Sequence, residues 1–488
     1  MAKPKEEAVR KEAEEHINEF YGSDNIRRWQ RYEVRENYEV KDGDASGLGQ
    51  WAQDDLSKFQ SMQMPIITTN KIGAIVDAIS GFEIQNPVRV DYIPRMASDK
   101  ARGFNDLVEK GAAYIESDSQ SVDFDSDAFI DTLTCGIGCC DFYMDYTKPP
   151  YLGDVKQERI FPGLLGWDVA ACERNLLDAD HVWRAKIVRA EVAKRAVQKK
   201  RGKKYEYNAS GGIAMANFLD FFNQYQLTEV ALDVVYQYQW RELEPFYRVK
   251  NPFIQFAKQQ GMMTPNDALM MEYSAASERL YGITLEDKTF NIGKDEYGEF
   301  AADMKTLNVP LEKAELERYR YYRAVIIGNE VTEIEENISQ DGFTQKFMTG
   351  KYSENERIFY GAVRGMKEPQ RMLNRNLSRY EKVLSKAALG GDIIEETAVS
   401  DLPAFLDTKA KAESSGTVVV SDGTLSGNRM MPRQQMQFPP GLAEIIPVAE
   451  NAIMAAPGVN PTLMGASDTQ EEQSGLLYSR KVKQGMAV

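Results

Sequence analysis

Residues 364–386 alternate polar and apolar side chains with the period of an α-helix. Seven basic residues recur at steps of three or four and, at about 100° per residue, fall within an arc of about 120°. This cationic ladder comprises Arg364, Lys367, Arg371, Arg375, Arg379, Lys382 and Lys386. The packing seam on the opposite face comprises Met366, Leu373, Leu377, Tyr380 and Leu384. The pattern predicts one long amphipathic helix, which Gly390 and Gly391 end.

Alternation with a period of two predicts strands elsewhere in the chain. Residues 139–146 and 234–240 have this pattern, and residues 319–334 predict a β-hairpin with its turn at Gly328 and Asn329. Further helical patterns cover residues 5–40, 72–80, 98–117, 183–204 and 442–456. Gly81 is the predicted end of the second of these helices. The mixture predicts an α+β fold class.

Charge sets residues 364–386 apart from the rest of the chain. The 488 residues have a formal net charge of −15, and outside this stretch, whose own charge is +5, the chain carries −20. Overall acidity excludes a general nucleic-acid coating protein, which would be basic. No run approaches the roughly 18 apolar residues that cross a bilayer, and the first residues contain no apolar signal segment. We therefore expect a soluble protein that is made in a cytoplasm.

Three carboxylates, Asp123, Asp125 and Asp127, are spaced like the ligands of a metal site. The spacing fails the EF-hand pattern, because the sixth position is not Gly and the twelfth is not Glu. We instead expect Asp125 and Ser126 to cap the helix that follows them. The alternative is a metal-dependent enzyme acting on nucleic acid, in which these three carboxylates hold the metal.

Other catalytic signatures are missing from the sequence. It contains neither the P-loop pattern nor the GxSxG elbow, and only two histidines, which makes imidazole catalysis a poor explanation. The four cysteines do not form two zinc-binding pairs, so we expect buried free thiols at Cys135, Cys139, Cys140 and Cys172. The sequence thus predicts no catalytic site, no metal and no cofactor.

Three groups of residues resemble the tailed-phage portal proteins of the P22-like, podophage-type family. On the predicted amphipathic helix they are Val363, Arg364, Met366, Pro369, Gln370, Arg371, Asn374, Ser378 and Glu381. Nearer the N-terminus they are Pro65, Asn70, Gly81, Pro87 and Pro94. Nearer the C-terminus they are Gly458, Val459, Asn460, Pro461, Gly465, Ser474, Gly475, Arg480, Gln484 and Gly485. The three groups occur in the order typical of the family.

The resemblance implies a portal fold with an α/β wing, a helical stem, a small clip that contains the β-hairpin, and a helical C-terminal crown segment. The implied ranges are 1–260 for the N-terminal wing, 261–318 for the first helical part of the stem, 319–360 for the clip, 361–390 for the second stem helix, 391–457 for the wing return and 458–488 for the start of the crown. Such portals usually continue past Gln484, so this crown is either short or truncated.

The same resemblance implies a homododecameric ring at one capsid vertex, through which double-stranded DNA is packaged and ejected. Implied partners are the terminase large subunit, head-completion adaptor and tail proteins, and the major capsid and scaffolding proteins. Implied localisation is the virion, after assembly in the host bacterial cytoplasm, with no membrane contact. A rival interpretation outside the enzymes is a scaffold or filament protein that does not contact DNA.

Two placements of the cationic ladder follow from such a ring. The side chains either face the DNA channel or form ion pairs with carboxylates, and we expect some residues to do each. A continuous cationic lining would hold DNA by salt-dependent phosphate contacts, whereas sparse cations in an acidic surround would let it slide. Residues 421–441, rich in Gly, Pro and Gln, are either an ordinary loop of the wing or the loop that protrudes into the channel, for which they are the candidate.

Overall fold

The structure of the protein is a computed structural model. It describes residues 2–22, 26–43, 49–86, 92–93, 99–147, 149, 151–202, 232–250, 289–306, 311–328, 330–388, 392–395, 398, 401–411, 418–422, 425, 430–432 and 440–458. Within these ranges about as many elements are strands as helices, which agrees with the predicted α+β class.

The helices and strands alternate in blocks along the chain. The helices are α1 Ala2–Tyr21, α2 Ile26–Asp42, α3 Gln53–Ser61, α4 Ile72–Gln85, α5 Asp99–Ser119, α6 Ser121–Cys135, α7 Ala190–Arg201, α8 Lys294–Thr306, α9 Val363–Ala388, α10 Leu402–Lys411 and α11 Pro440–Ala455. The strands are β1 Ile137–Asp145, β2 Asp154–Arg159, β3 Leu165–Trp167, β4 His181–Arg189, β5 Leu232–Lys250, β6 Thr289–Gly293, β7 Lys313–Ile327, β8 Glu330–Glu336, β9 Gln345–Thr349, β10 Lys351–Ser353, β11 Ile358–Tyr360, β12 Asp392–Glu395, β13 Val418–Val420 and β14 Met430–Pro432.

The largest sheet has the order β3-β4-β5-β7-β8, with β6 paired to the far end of β5. All of its pairings are antiparallel. Tyr236, Tyr238 and Trp240 lie on one face of β5 because successive side chains of a strand point to opposite faces, and all three are buried. Helix α1 covers this face with Ile17 and Phe20, which are fully buried in the same apolar cluster.

The predicted β-hairpin is present as β7 and β8. Gly328 has φ +59°, a conformation that glycine adopts without steric cost, and Asn329 lies outside the described residues. Strand β7 begins at Lys313 because it continues its pairing with β5 as far as Val249. The hairpin is therefore part of the large sheet, whose strands come from both the range predicted as wing and the range predicted as clip.

A second core is built from helices around α9. Ile72, Ile75 and Val76 of α4 pack with Met366 and Leu373 of α9, and all five are buried. Residues of α11 complete this cluster, and α2 and α6 also contact α9. The amphipathic helix predicted from the sequence is thus the centre of the helical core.

Several predicted helix boundaries differ from the structure. The pattern over residues 5–40 forms two helices, α1 and α2, and residues 183–189 belong to strand β4. Gly81 lies inside α4 and does not end it, because an interior glycine costs only about 1 kcal/mol and the apolar face of α4 is buried. Helix α6 starts at Ser121, after Gln120 at φ +55°, so Asp125 and Ser126 lie within the helix and do not cap it.

The remaining predicted ranges are only partly covered. The described part of residues 261–318 contains β6, α8 and the first residues of β7. Within residues 421–441, predicted as irregular, Met430–Pro432 form strand β14, which pairs with β12. Of the predicted crown segment only Gly458 is among the described residues. None of the helices in the described part is both long and apolar enough to cross a membrane.

Candidate functional site

Four cations of the ladder form ion pairs with carboxylates of the same chain. The guanidinium of Arg364 lies 2.5 Å from Glu356, and that of Arg375 lies 2.6 Å from Asp55 of α3. The other two, Lys367 and Arg371, share a carboxylate of α2 that is described next. These contacts join α9 to elements more than 300 residues away in sequence, as well as to the nearby β10–β11 turn.

Glu36 of α2 is the carboxylate that Lys367 and Arg371 share. Its two oxygens lie 2.6 Å from Lys367 Nζ and 2.7 Å from an Arg371 nitrogen. Burial raises the pKa of Glu36, but hydrogen bonds and charge from Lys367 and Arg371 outweigh burial, and the pKa is lowered overall. Lys367, which is 7% exposed, also lies 3.6 Å from Glu33. The charges of Lys367 and Arg371 are thus neutralised within the chain itself.

The C-terminal end of the ladder has a different environment. Arg379 is exposed and lies over the ring of Phe59, 5.9 Å from its centroid. Lys382 donates a hydrogen bond of 2.7 Å to the backbone carbonyl of Met62. In the part of the chain that the structure describes, neither residue forms an ion pair, and the side chain of Lys386 lies outside that part. The ladder therefore divides into a paired N-terminal part and a C-terminal part without described carboxylate partners.

The packing seam follows the same division along α9. Met366 and Leu373 are fully buried, and Leu377 packs against the same cluster. Tyr380 is half-buried, whereas Leu384 is 40% exposed. The seam thus packs inside the helical core as far as Leu377 and reaches the surface towards the end of the helix.

Between the two faces of α9 lies a buried polar stripe, whose residues the sequence indicates only through the family resemblance. Gln370, Asn374 and Ser378, spaced by four residues, are completely buried. Their side-chain oxygens accept hydrogen bonds from the backbone N–H groups of alternate residues in the segment between α3 and α4. The donors are Lys71 at 3.2 Å, Thr69 at 3.1 Å and Ile67 at 2.9 Å.

The stripe also connects to its surroundings on the other side. Gln370 donates a hydrogen bond of 2.6 Å to the carbonyl of Thr69. Asn374 donates one of 3.2 Å to the side chain of Gln50, and Gln50 donates one of 2.8 Å to the carbonyl of Val40. Buried polar groups are tolerated when they are hydrogen-bonded in this way. The available signal was the four-residue spacing of Gln370, Asn374 and Ser378, which places three uncharged polar residues along one line of the helix.

The carboxylates predicted as alternative metal ligands do not form a site in the described structure. Asp125 accepts a hydrogen bond of 2.5 Å from Gln157 on β2. Within the described ranges, no three His, Cys, Asp or Glu side chains converge as metal ligands would. Cys135, Cys139 and Cys140 are free and buried, and burial raises the pKa of the Cys140 thiol to about 11. The prediction of burial is wrong for Cys172, which is exposed.

Comparison with known families agrees with the sequence resemblance. The family model described as "Phage P22-like portal protein" matches residues 24–487, nearly the whole chain. A search of curated proteins finds no match. The family is a structural one, whose members are components of the phage capsid. On this match the chain is a phage portal protein and belongs to the P22-like portal family.

Proposed function

We propose that this chain is one subunit of a homododecameric ring at a single capsid vertex, and that double-stranded DNA passes through the ring during packaging and ejection. The family match over residues 24–487 is the observation that carries this proposal. The ring performs no catalysis in this proposal, and its task is to contact DNA weakly while other proteins move it.

The division of the ladder supports a channel with sparse cations. Arg364, Lys367, Arg371 and Arg375 already contact carboxylates of their own subunit, so they have little charge to offer to DNA. We assign the DNA-facing role to the C-terminal part of the ladder, Arg379, Lys382 and Lys386. In a ring of twelve this part gives narrow bands of positive charge on an acidic protein, which favours sliding over retention.

The proposed partners follow from the same family. The terminase large subunit and later the head-completion adaptor and tail proteins bind the clip, for which the hairpin with Gly328 and Asn329 is the candidate. Major capsid and scaffolding proteins contact the wing, and residues 421–441 remain the candidate channel loop. The protein is placed at the capsid vertex of the virion after assembly in the bacterial cytoplasm.

Electron micrographs of the purified full chain test this proposal directly. The expected particles are closed rings with a central hole, and symmetry averaging gives the number of subunits. A protein that stays monomeric at micromolar concentration, with or without scaffolding protein, would contradict the proposal. Filaments without a central hole would instead support the scaffold interpretation.

The enzymatic alternative has its own test. Duplex and single-stranded DNA are incubated with the purified protein and Mg²⁺ or Mn²⁺. Under the portal proposal no cleavage is expected beyond that of an Asp123→Asn/Asp125→Asn variant. Metal-dependent cleavage that disappears in this variant would favour a nuclease over a passive ring.

A further inference from the structure

The only two histidines of the chain, His16 and His181, lie against each other. Their rings are stacked with centroids 3.8 Å apart and an angle of 7° between the planes. His16 is on helix α1 and His181 opens strand β4, so the stack joins the first helix to the large sheet. Two residues 165 positions apart in sequence thus form one of the contacts between α1 and the sheet.

Tyr238 of β5 holds the pair in place from the sheet side. Its hydroxyl lies 2.7 Å from His16 Nδ1, and its ring lies 6.0 Å from each imidazole ring. Burial raises the pKa of Tyr238 well above its ordinary value, so the hydroxyl keeps its proton throughout the pH range in which histidines titrate. The hydroxyl can donate to Nδ1 of His16 or accept from it, according to which ring nitrogen carries the proton.

The charged and titratable groups around the two histidines come from four places in the fold. They are Glu12 on α1, Asp168 after β3, Asp180 before β4, and Tyr238 on β5. Asp180 is also held by Arg241, at 2.9 Å, and its charge is partly neutralised by that guanidinium. Asp168 and Asp180 favour a protonated His181, whereas burial and the neighbouring ring of His16 oppose its protonation.

At His181, which is buried, the effects that oppose protonation outweigh the carboxylates. Burial, and then the neighbouring His16, lower its pKa to about 4, although Asp168 and Asp180 act in the other direction. Two imidazolium rings stacked at 3.8 Å would repel each other, so the docked helix accommodates fewer protons than the released helix does.

We propose that the stacked histidines act as a pH-sensitive latch, which holds α1 on the large sheet at neutral pH and weakens as the solution becomes acidic. The released helix would expose Ile17 and Phe20 together with the sheet residues that they cover, Trp167 and Trp183. This proposal does not depend on ring formation or on DNA.

The direction and pH window follow from proton linkage. The pKa of His181 is lower when α1 is docked than when it is released. The docked state is therefore fully stabilised above the ordinary histidine pKa of about 6.5 and loses that stabilisation as the pH falls towards 4. For one proton the docking equilibrium falls about 30-fold between pH 8 and pH 5.

Hydrogen exchange of the full-length protein tests the latch. Protection factors, corrected for the intrinsic pH dependence of exchange, are measured for α1 and for α9 between pH 8 and pH 5. We expect α1 protection to fall about 30-fold while α9 protection stays constant, with a parallel change in tryptophan fluorescence from Trp167 and Trp183. Equal behaviour of the two helices would overturn the proposal.

Variants assign the effect to the two rings. In His16→Gln/His181→Gln no histidine remains, so we expect α1 protection to be independent of pH in this window. A fall that persists in this variant would overturn the proposal. His16→Gln alone provides an independent test should the double variant not fold. It removes the ring that lowers the His181 pKa, so the fall in protection is expected to be smaller than in the unmodified protein.

Discussion

Glu36 shows how a single side chain decides what the cationic ladder can do. It binds Lys367 and Arg371 together, and Arg371 in turn contacts Glu368 on its own helix at 2.7 Å. The Glu36 side chain is 43% exposed and that of Glu368 is 70% exposed. An exposed ion pair contributes little to stability, whereas losing a partly buried partner leaves its cations close together without compensation.

The variant Glu36→Gln tests this difference against Glu368→Gln. We expect Glu36→Gln to lower the free energy of unfolding by about 1–2 kcal/mol, since half exposure limits the loss. Glu368→Gln is expected to change it by less than about 0.5 kcal/mol. Urea unfolding followed by circular dichroism gives both values. Equal effects of the two variants would show that α2 does not depend on this contact.

Lowering the pH acts on the same group. Because the pKa of Glu36 is lowered in the folded protein, its contribution is complete above the ordinary glutamate range and is lost as pH falls through the folded value. The stability difference between the unmodified protein and Glu36→Gln is therefore expected to shrink on going from pH 7 to pH 3. A constant difference across this range would contradict the lowered pKa.

Gly136 is a second residue whose replacement is expected to disturb the structure around it, at the end of α6. It ends α6 at φ +85°, and a Cβ placed on it would lie 2.4 Å from the backbone nitrogen of Tyr360. Gly136→Ala is therefore expected to cost at least about 3 kcal/mol. Gly111→Ala is the control, because the added methyl meets no described atom within 4 Å inside α5 and is expected to stabilise by about 0.5–1 kcal/mol. Thermal unfolding of the two variants should shift in opposite directions.

At the scale of elements, α9 uses three kinds of contact around its circumference. The cationic ladder reaches α2 and α3, the packing seam fills the helical core, and the polar stripe holds the segment between α3 and α4. Only the first two have a strong sequence signal. The stripe is what ties a segment without regular secondary structure to the central helix.

Asn374→Ala tests the stripe. The variant leaves the N–H of Thr69 and the side chain of Gln50 without their partner in a buried position, so we expect a loss of about 2–3 kcal/mol. Ser385→Ala is the control on the same helix, since Ser385 is exposed and its bonds among the described residues stay within α9, and less than about 0.5 kcal/mol is expected. A small effect at Asn374 would mean that water replaces these bonds.

How much of the fold and of the candidate site could be predicted depends on how far apart in sequence the interacting residues lie. The helix over residues 363–388 and the turn at Gly328 were predicted because periodicity and turn chemistry are local signals. The ion pair between Lys367 and Glu36 joins residues 331 positions apart, and no local pattern specifies such a partner. The capping prediction at Asp125 failed for a different reason. Gln120 alone separates α5 from α6, so α6 already begins at Ser121 and Asp125 lies inside it.

For the whole molecule, the balance of charge governs contact with DNA. A chain with a net charge of −15 repels phosphate except at local cations, and in the proposed ring these are Arg379, Lys382 and Lys386. Each phosphate contact contributes about 0.9 to the slope of log K against log salt concentration. The proposed channel therefore predicts weak binding with a small, measurable salt dependence.

The triple variant Arg379→Gln/Lys382→Gln/Lys386→Gln is expected to reduce the magnitude of this slope by about 0.9 for each phosphate contact that the assembled ring loses. The control Lys194→Gln/Arg195→Gln/Lys199→Gln removes the same charge from exposed residues of α7 and is expected to leave it nearly unchanged. Fluorescence anisotropy of a labelled linear duplex gives the slopes for assembled protein. A larger effect of the α7 variant would move the DNA contact away from α9.

The polar stripe has a consequence for how this chain tolerates insertions and deletions. Four residues of an α-helix advance about 6 Å, and two residues of extended chain advance about 6.6 Å, so the two spacings coincide over three successive contacts. Removing one residue between Ile67 and Lys71 would break this match, because N–H groups on the two sides of the deletion could no longer both reach their acceptors on α9. Connecting segments are ordinarily free to change length. Here the polar stripe fixes the length of the segment, and with it the distance between α3 and α4.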